Sequence, residues 1–378
     1  MKFISYVKSI NKKTRIGIIV FAACLISFVI LTLICAKRVN EFGEQHIAAQ
    51  WNPQGNGGQV TIFLSEDVKA DINVFYRLNQ LISDDYALSN PAAFTAQTDE
   101  MFPGPFTSAY SAEGTVTIST DDGINSDNFR AIGIGGDFFF FHPVDMAVGR
   151  YLYPDDVSKN GIVIDSYTAW RLFGSYDVLD MPVYIGNNAF YIRGVYTVDE
   201  GYMARKTGAD GGFVYMDYDA LKALGNVGSI SCIEFAGDDV YEGNLYNILK
   251  DTSKLGLQEN TFETVNNTSR FGIANLWKVF NSQTDRVMRF NRIVYPYWEN
   301  KARAYENILS TMLIIRAVLL TVAIVWLIVF IALKYARRTW SIKTITDKLE
   351  DIAEEIRLKM QKENQGEEVS EDTQEQNM

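Results

Sequence analysis

Residues suited to catalysis are few in this chain, and their spacing does not assemble a reaction centre. His46 and His142 are the two histidines among 378 residues, which excludes a multi-histidine metal site. Adjacent acids stand at Asp84-Asp85, Asp121-Asp122, Asp155-Asp156 and Asp238-Asp239. Neighbouring carboxylates are not spaced as a catalytic pair, and none fits the EF-hand calcium loop, so they read as solvated turns. No G-x-x-x-x-G-K-[ST] run occurs, so the chain carries no P-loop ATPase of its own. Gly133-Ile134-Gly135-Gly136 has its glycines at the wrong spacing for a dinucleotide fingerprint, and G-x-S-x-G is missing. The chain reads as a non-enzyme that needs no cofactor. With 35 Lys+Arg against 46 Asp+Glu its net charge is −11, which argues against a nucleic-acid-binding surface.

Two apolar segments set the frame for everything else. Residues 16–36 carry no charge, and residues 311–333 carry one, Arg316. At 1.5 Å rise per residue each can cross a hydrocarbon core of about 30 Å. Lys2, Lys8, Lys12, Lys13 and Arg15 precede the first segment, and Lys334, Arg337, Arg338 and Lys343 follow the second. By the positive-inside rule both termini are cytoplasmic and the middle is extracytoplasmic, although Lys37-Arg38 stands on the outer side. The first segment is longer than a signal-peptide core and lacks a clean small-x-small site, so it reads as an uncleaved anchor. Arg316 either snorkels outward or meets a partner inside the membrane. Residues 1–15 are either an ordinary basic flank or a short amphipathic helix on the inner leaflet. Cys24 and Cys35 lie in the first apolar segment and Cys232 alone in the outer region, so that region has no internal disulfide. Cysteine poverty fits a bacterial surface, where the sequons in Asn266-Asn267-Thr268-Ser269 are incidental.

The central region, residues 37–269, reads as α+β. The first helix is expected to continue to residue 50, before the breaker at Pro53, Gly55, Gly57 and Gly58. Strands are expected at 59–64, 115–119, 129–134, 161–165, 182–185, 189–195, 213–216, 231–235 and 261–265. Helices are expected at 68–81, capped by Ser65 or Asp67, and at 166–173, 217–224 and 240–254. Asp121-Asp122-Gly123 and Gly186-Asn187-Asn188 mark hairpins, Gly174 stops a helix, and 89–106 reads as a loop. Residues 270–310 are basic and read as a juxtamembrane helix interrupted at Pro296. Its cations meet either lipid phosphates or the domain's own acids. In the tail, 334–378, Ile345, Leu349, Ile352 and Ile356 sit at 4-3-4 spacing. That seam is too short for a coiled coil alone but suits docking on a partner helix. The acidic end, 363–378, reads as disordered.

One stretch is more specific. Residues 133–196 contain Asp137-Phe138-Phe139, then Gly149-Arg150-Tyr151-Leu152 with Asp155 after it. A strand follows, then Ala169-Trp170-Arg171-Leu172-Phe173-Gly174, and a hairpin ending Tyr191-Ile192-Arg193-Gly194-Val195. This pattern resembles the MacB-like periplasmic core domain of ABC-transporter permeases of the MacB/FtsX-like type. The layout, including Tyr295-Pro296-Tyr297-Trp298-Glu299-Asn300, is similar to a clostridial-type group of such permeases. The matching residues are structural: glycines turn the chain, aromatics fill a core, and Leu172 and Phe173 close a helix onto a sheet. The resemblance implies a MacB-like α+β domain between two transmembrane helices, working with a separate ABC ATPase and other permease-like subunits. Permeases of this type have three spans after the core domain, whereas this chain shows one. Two functions are therefore expected. One is a permease-like subunit in export or mechanotransmission that meets an extracytoplasmic adaptor or peptide. The other is a stand-alone surface module for sensing, scaffolding or protein interaction.

Overall fold

This computed structural model describes residues 12–52, 57–89, 104–123, 125–210, 212–239, 243–283, 289–290, 292–336, 346, 349–354 and 356–357. Helix α1 (Lys12–Asn40) ends short of the expected 50. The reason is tertiary: Phe42 is buried against Phe271 and Tyr305, with ring centroids 5.8 and 4.4 Å away. The chain therefore turns through a 3-10 segment, Gly43–Gln45, into α2 (Ile47–Trp51) and strand β1 (Gly57–Leu64). Ser65 does cap, but only the 3-10 turn Glu66–Val68, which Lys69 ends at φ 49°. The longer helix α3 (Ile72–Ser89) starts later, where Asp71 accepts from the Asn73 amide.

Strands β2 (Phe106–Thr120) and β3 (Ser126–Gly136) form the hairpin over Asp121-Asp122-Gly123. Both outrun the β-branched stretches that announced them, because pairing continues back to Ala109 opposite Gly136. Then come α4 (Phe138–Phe141), β4 (Met146–Gly149), β5 (Gly161–Asp165) and α5 (Ser166–Phe173). Asp165 accepts from the Tyr167 and Thr168 amides at 2.9 Å, and Gly174 ends α5 at φ +66°, as local signals require. The hairpin β6 (Pro182–Ile185) and β7 (Asn188–Tyr196) leads to α6 (Tyr202–Thr207), β8 (Val214–Asp217), α7 (Tyr218–Ala223) and β9 (Cys232–Asp238). The helix expected over 240–254 is split into α8 (Asn244–Lys250) and α9 (Thr252–Leu255) by extended Asp251. Strand β10 (Phe262–Asn266), α10 (Ile273–Asn281), the ribbon β11 (Arg289–Phe290) and β12 (Ile293–Val294), and α11 (Tyr297–Ala336) complete the order. The basic segment is thus not one interrupted helix. Its second half is continuous with the second apolar segment.

Among the described residues, β1 to β10 make one mixed sheet in the order β10-β1-β9-β2-β3-β8-β5-β7-β4, with β6 bridging β2 and β7. The β3–β8 and β5–β7 pairs are parallel, and the other pairs are antiparallel. On one face α3 and α8 bury Leu78, Ile82, Leu245 and Leu249 against Val60, Ile62, Ile233 and Phe235. On the other, α4 and the start of α11 pack Phe138, Tyr295 and Trp298 with Phe63 and Cys232. A third cluster joins α5 to the β5–β7 end of the sheet.

The chain falls into two compact units, Leu31–Ile315, and Met1–Ile30 with Arg316–Met378. In the second, the indole of Trp326 lies where a side chain on Gly17 would stand, and it meets Phe21 at 5.0 Å between centroids. A small residue lets the two apolar helices approach. Only 6% of each helix's apolar window is buried, which sets them apart from core helices of a soluble domain. Helix α11 has 40 residues, about 60 Å, twice a hydrocarbon core. Its charged first turns, with Glu299, Lys301, Arg303 and Glu306, precede the apolar part. In the tail Leu349, Ile352 and Ile356 are helical and exposed. Ile345, residues 1–11, most of the expected loop and the acidic end lie outside the described residues.

Candidate functional site

Alternation along two strands creates the most unusual feature of the Leu31–Ile315 unit. In β1, Val60, Ile62 and Leu64 face α3, so Gln59, Thr61 and Phe63 face the other way. In β9, Ile233 and Phe235 face α3, which turns Cys232, Glu234 and Ala236 to that same second face. Register puts Thr61 opposite Glu234 and Phe63 opposite Glu263 of β10. The first turns of α11 answer with Trp298, Glu299, Ala302, Glu306 and Leu309, at i, i+3 and i+4 spacings, all buried. Charged and polar side chains thus meet inside the domain.

They form a continuous network. His142 Nε2 lies 2.5 Å from Glu234 Oε2, and its Nδ1 is 3.8 Å from Glu44. Thr61 Oγ1 donates to Glu234 at 3.3 Å and accepts from Asn267 Nδ2 at 2.8 Å. Arg270 Nη1 donates to Asn267 Oδ1 at 3.2 Å and to Glu299 at 2.6 Å, and Nη2 donates to Glu299 at 2.8 Å and Glu306 at 3.2 Å. Arg303 donates to Glu299 at 2.6 Å and to Glu263 at 3.0 Å, and its guanidinium lies 3.7 Å over the Tyr295 ring. The Tyr295 hydroxyl donates to Glu263. Arg270, Glu299 and Glu306 are 2%, 2% and 3% exposed, so this is a desolvated ion cluster rather than a surface salt bridge. A cavity of about 590 Å³ opens beside it.

Electrostatics fixes the protonation states. Burial alone would raise Glu299, but the Arg270 and Arg303 guanidiniums outweigh it and hold the carboxyl down to about 2. Burial alone would lower His142, yet the Glu234 and Glu44 carboxylates win and push it up to about 9. Arg270 is likewise raised by Glu299 and Glu306 against its burial. A carboxylate held near 2 is a poor general base. The cluster is built to hold elements together: the segment after α1 through Glu44, the sheet through Thr61, Glu234 and Glu263, the turn after β10 through Asn267 and Arg270, and α11. Among the described residues, no group of three or more His, Cys, Asp or Glu converges to hold a metal ion.

The motif residues lie elsewhere and are scattered. Asp137 stands at the start of α4 and accepts from Thr107 Oγ1 at 2.5 Å, while Phe138 and Phe139 are buried. Gly149 and Gly194 face each other across β4 and β7. A Cβ on Gly149 would lie 2.3 Å from Arg193 O, and one on Gly194 would lie 2.6 Å from Arg150 O, so both glycines permit close strand contact. Arg150 makes two 2.9 Å bonds to Asp156, whereas Asp155 is exposed, so Asp156 is the acid that holds this corner. Leu172 and Val195 are buried, Phe173 half-buried, and Gly174 caps α5. Arg316 is half-buried, and its Nε has no hydrogen-bond partner among the described residues.

One reading from sequence changes, and one choice that the sequence left open is decided. Asp238-Asp239 is not a solvated turn, because Asp239 is buried and accepts from the Gly243 and Leu245 amides. The cations of 270–310 that have partners find them in acids of the protein: Arg270 and Arg303 in the network, Arg292 with Asp67, Lys301 with Asp199. His142 and Glu234 left no sequence signal beyond being a rare residue and an acid within an apolar strand.

A sequence profile of the MacB-like periplasmic core domain matches residues 23–246. No curated protein matches the chain. Three solved structures are similar at low identity. The periplasmic region of MacB from Actinobacillus actinomycetemcomitans is 18% identical, with 62% of this chain and 97% of that one covered and a TM-score of 0.39. The extracellular domain of the noncanonic ABC-type transporter YknZ from Gram-positive bacteria is 16% identical over 55% and 100%, with a TM-score of 0.36. A domain of a putative permease protein from Porphyromonas gingivalis is 12% identical over 57% and 89%, with a TM-score of 0.28.

Proposed function

This chain belongs to the MacB-like periplasmic core domain family, and from that premise we propose that it is a membrane-held, permease-like subunit of an ABC transporter system. It acts in export or mechanotransmission with a separate ATPase and further permease-like subunits. The observation that carries this reading is the buried Arg270–Glu299–Glu306 cluster. It ties the helix that runs on into the second apolar segment to the turn after β10, so displacement of that helix loads the sheet directly. A buried charged cluster resists slipping, because parting its pairs leaves buried charges short of partners. Exposed Leu349, Ile352 and Ile356 suit docking on a cytoplasmic partner, and Arg316 suits an acceptor supplied by another membrane subunit. An adaptor or peptide would meet the outer domain. The second cavity, about 360 Å³ and lined by Tyr76, Tyr110, Tyr153, Lys159 and Asp217, is the place we assign to it.

Crosslinking in native membranes followed by purification of the chain tests the proposal. A nucleotide-binding subunit should be recovered with it, and loss of that ATPase should abolish the cellular phenotype of the chain. Recovery of the chain alone, with a phenotype indifferent to the ATPase, sinks the proposal and favours a stand-alone surface module.

A further inference from the structure

Helix α10 carries more apolar surface than its packing uses. Leu276 and Val279 are buried, and Leu276 shares a cluster with Cys35, Leu309, Met312 and Leu313. Cys35 lies near the outer end of the first apolar segment, and Met312 and Leu313 open the second. The Cys35 thiol donates to the Met312 thioether at 3.5 Å, so the two segment ends meet at this level. All these residues belong to one compact unit. Beside the packed stripe, Ile273, Trp277 and Phe280 form a second apolar stripe at i, i+4 and i+7. They are 74%, 54% and 36% exposed, and the rings of Trp277 and Phe280 stack with centroids 6.3 Å apart. Ala274, Lys278 and Asn281 take the remaining face, also exposed. An apolar stripe with a tryptophan, a lysine beside it and span ends against its back is the pattern of a helix lying in a membrane interface.

We propose that α10 is an interfacial anchor, with Ile273, Trp277 and Phe280 inserted among the lipids of the leaflet that the ends of the two apolar segments reach. The occupant of this face is lipid rather than protein, because Leu276 on the neighbouring stripe of the same helix packs with Cys35, Met312 and Leu313, where the two apolar segments end. Lys278 lies on the adjoining face, where headgroup phosphates stand. This inference rests on the membrane reading above, and its test separates the two. Anchored this way, α10 holds the start of α11 at a fixed depth.

The full chain is reconstituted into phosphatidylcholine–phosphatidylglycerol vesicles whose phosphatidylcholine is brominated near the headgroup end of its chains or, in a parallel set, at mid-chain. Bromine quenches nearby indoles. The quenched share of emission is compared among wild type, Trp277→Phe, Trp326→Phe and Trp170→Phe. Trp277 is exposed, so its replacement leaves the core intact. The expected result is that Trp277→Phe loses part of the shallow quenching, Trp326→Phe loses part of the mid-chain quenching, and Trp170→Phe loses neither. If Trp326→Phe alone loses quenching, α10 is not inserted and the inference falls while the membrane reading stands. If neither variant loses any, both fail. Ile273→Asp gives an independent check: shallow quenching of the retained Trp277 should drop, and an unchanged value also overturns the inference.

Discussion

Arg270 makes the sharpest case that one residue can govern this domain. It is held by two buried glutamates and an asparagine, and it is itself buried. Arg270→Ala removes the cation that Glu299 and Glu306 share, leaving Glu299 with Arg303, and we expect a loss of about 3–5 kcal/mol in chemical denaturation. Arg270→Lys should rescue little, because an ammonium cannot replace the two-pronged contact with Glu299. Arg303→Ala should lose less, since Glu299 keeps Arg270. His142 sets a pH signature. Its folded value is raised from 6.5 to about 9, so its contribution is complete below about 6.5 and disappears as pH rises through 9. Thermal unfolding should show stability falling across that window, by roughly 3 kcal/mol if His142 acts alone. His142→Gln should flatten the slope. Glu299 works in the opposite sense: its contribution is present above about 4.5 and is lost as pH falls towards 2. At this scale the sequence revealed little of the site. Arg270, Glu299 and Glu306 could be noted as charges of one segment, but burial and partnership come from β1, β9 and β10 as well.

Elements were legible where a local signal decides them. The Gly174 stop and the two hairpin turns needed no distant partner. Boundaries failed where packing overrode local preference, as when Phe42 ended α1 and when β2 ran on through Ser108, Ala109 and Ser111. The β4–β7 contact gives an element-scale prediction. Gly149 has φ +86° and no room for a Cβ, because Arg193 O would lie 2.3 Å away. Gly186 has φ +61° and open space. Gly186→Ala should therefore lose only the conformational contribution, about 1 kcal/mol, whereas Gly149→Ala should lose clearly more, because backbone must shift too. Equal losses in the two denaturation midpoints would contradict the strand-contact explanation. The motif glycines were visible in sequence. That Gly149 and Gly194 face each other was not, because register between β4 and β7 is set by the sheet.

For the whole molecule the two apolar helices predict a topology. Cysteines placed at Ser158 and at Glu363, in a chain with Cys24, Cys35 and Cys232 replaced, should differ in reach. A membrane-impermeant maleimide should label the first in intact cells and the second only after permeabilisation. Labelling of both in intact cells would overturn the arrangement with both termini inside. The two apolar segments, the α+β character of the region between them and the family pattern in 133–196 were all readable from the order of the residues. These depend on composition and on spacings of a few residues, which survive any arrangement of the rest. Tertiary structure alone decided that Thr61 meets Asn267, that His142 meets Glu234 and that Arg270 meets Glu299 and Glu306. Desolvation makes an unpaired ion costly in the interior, so these charges stand there only because the sheet and α11 bring their partners to them.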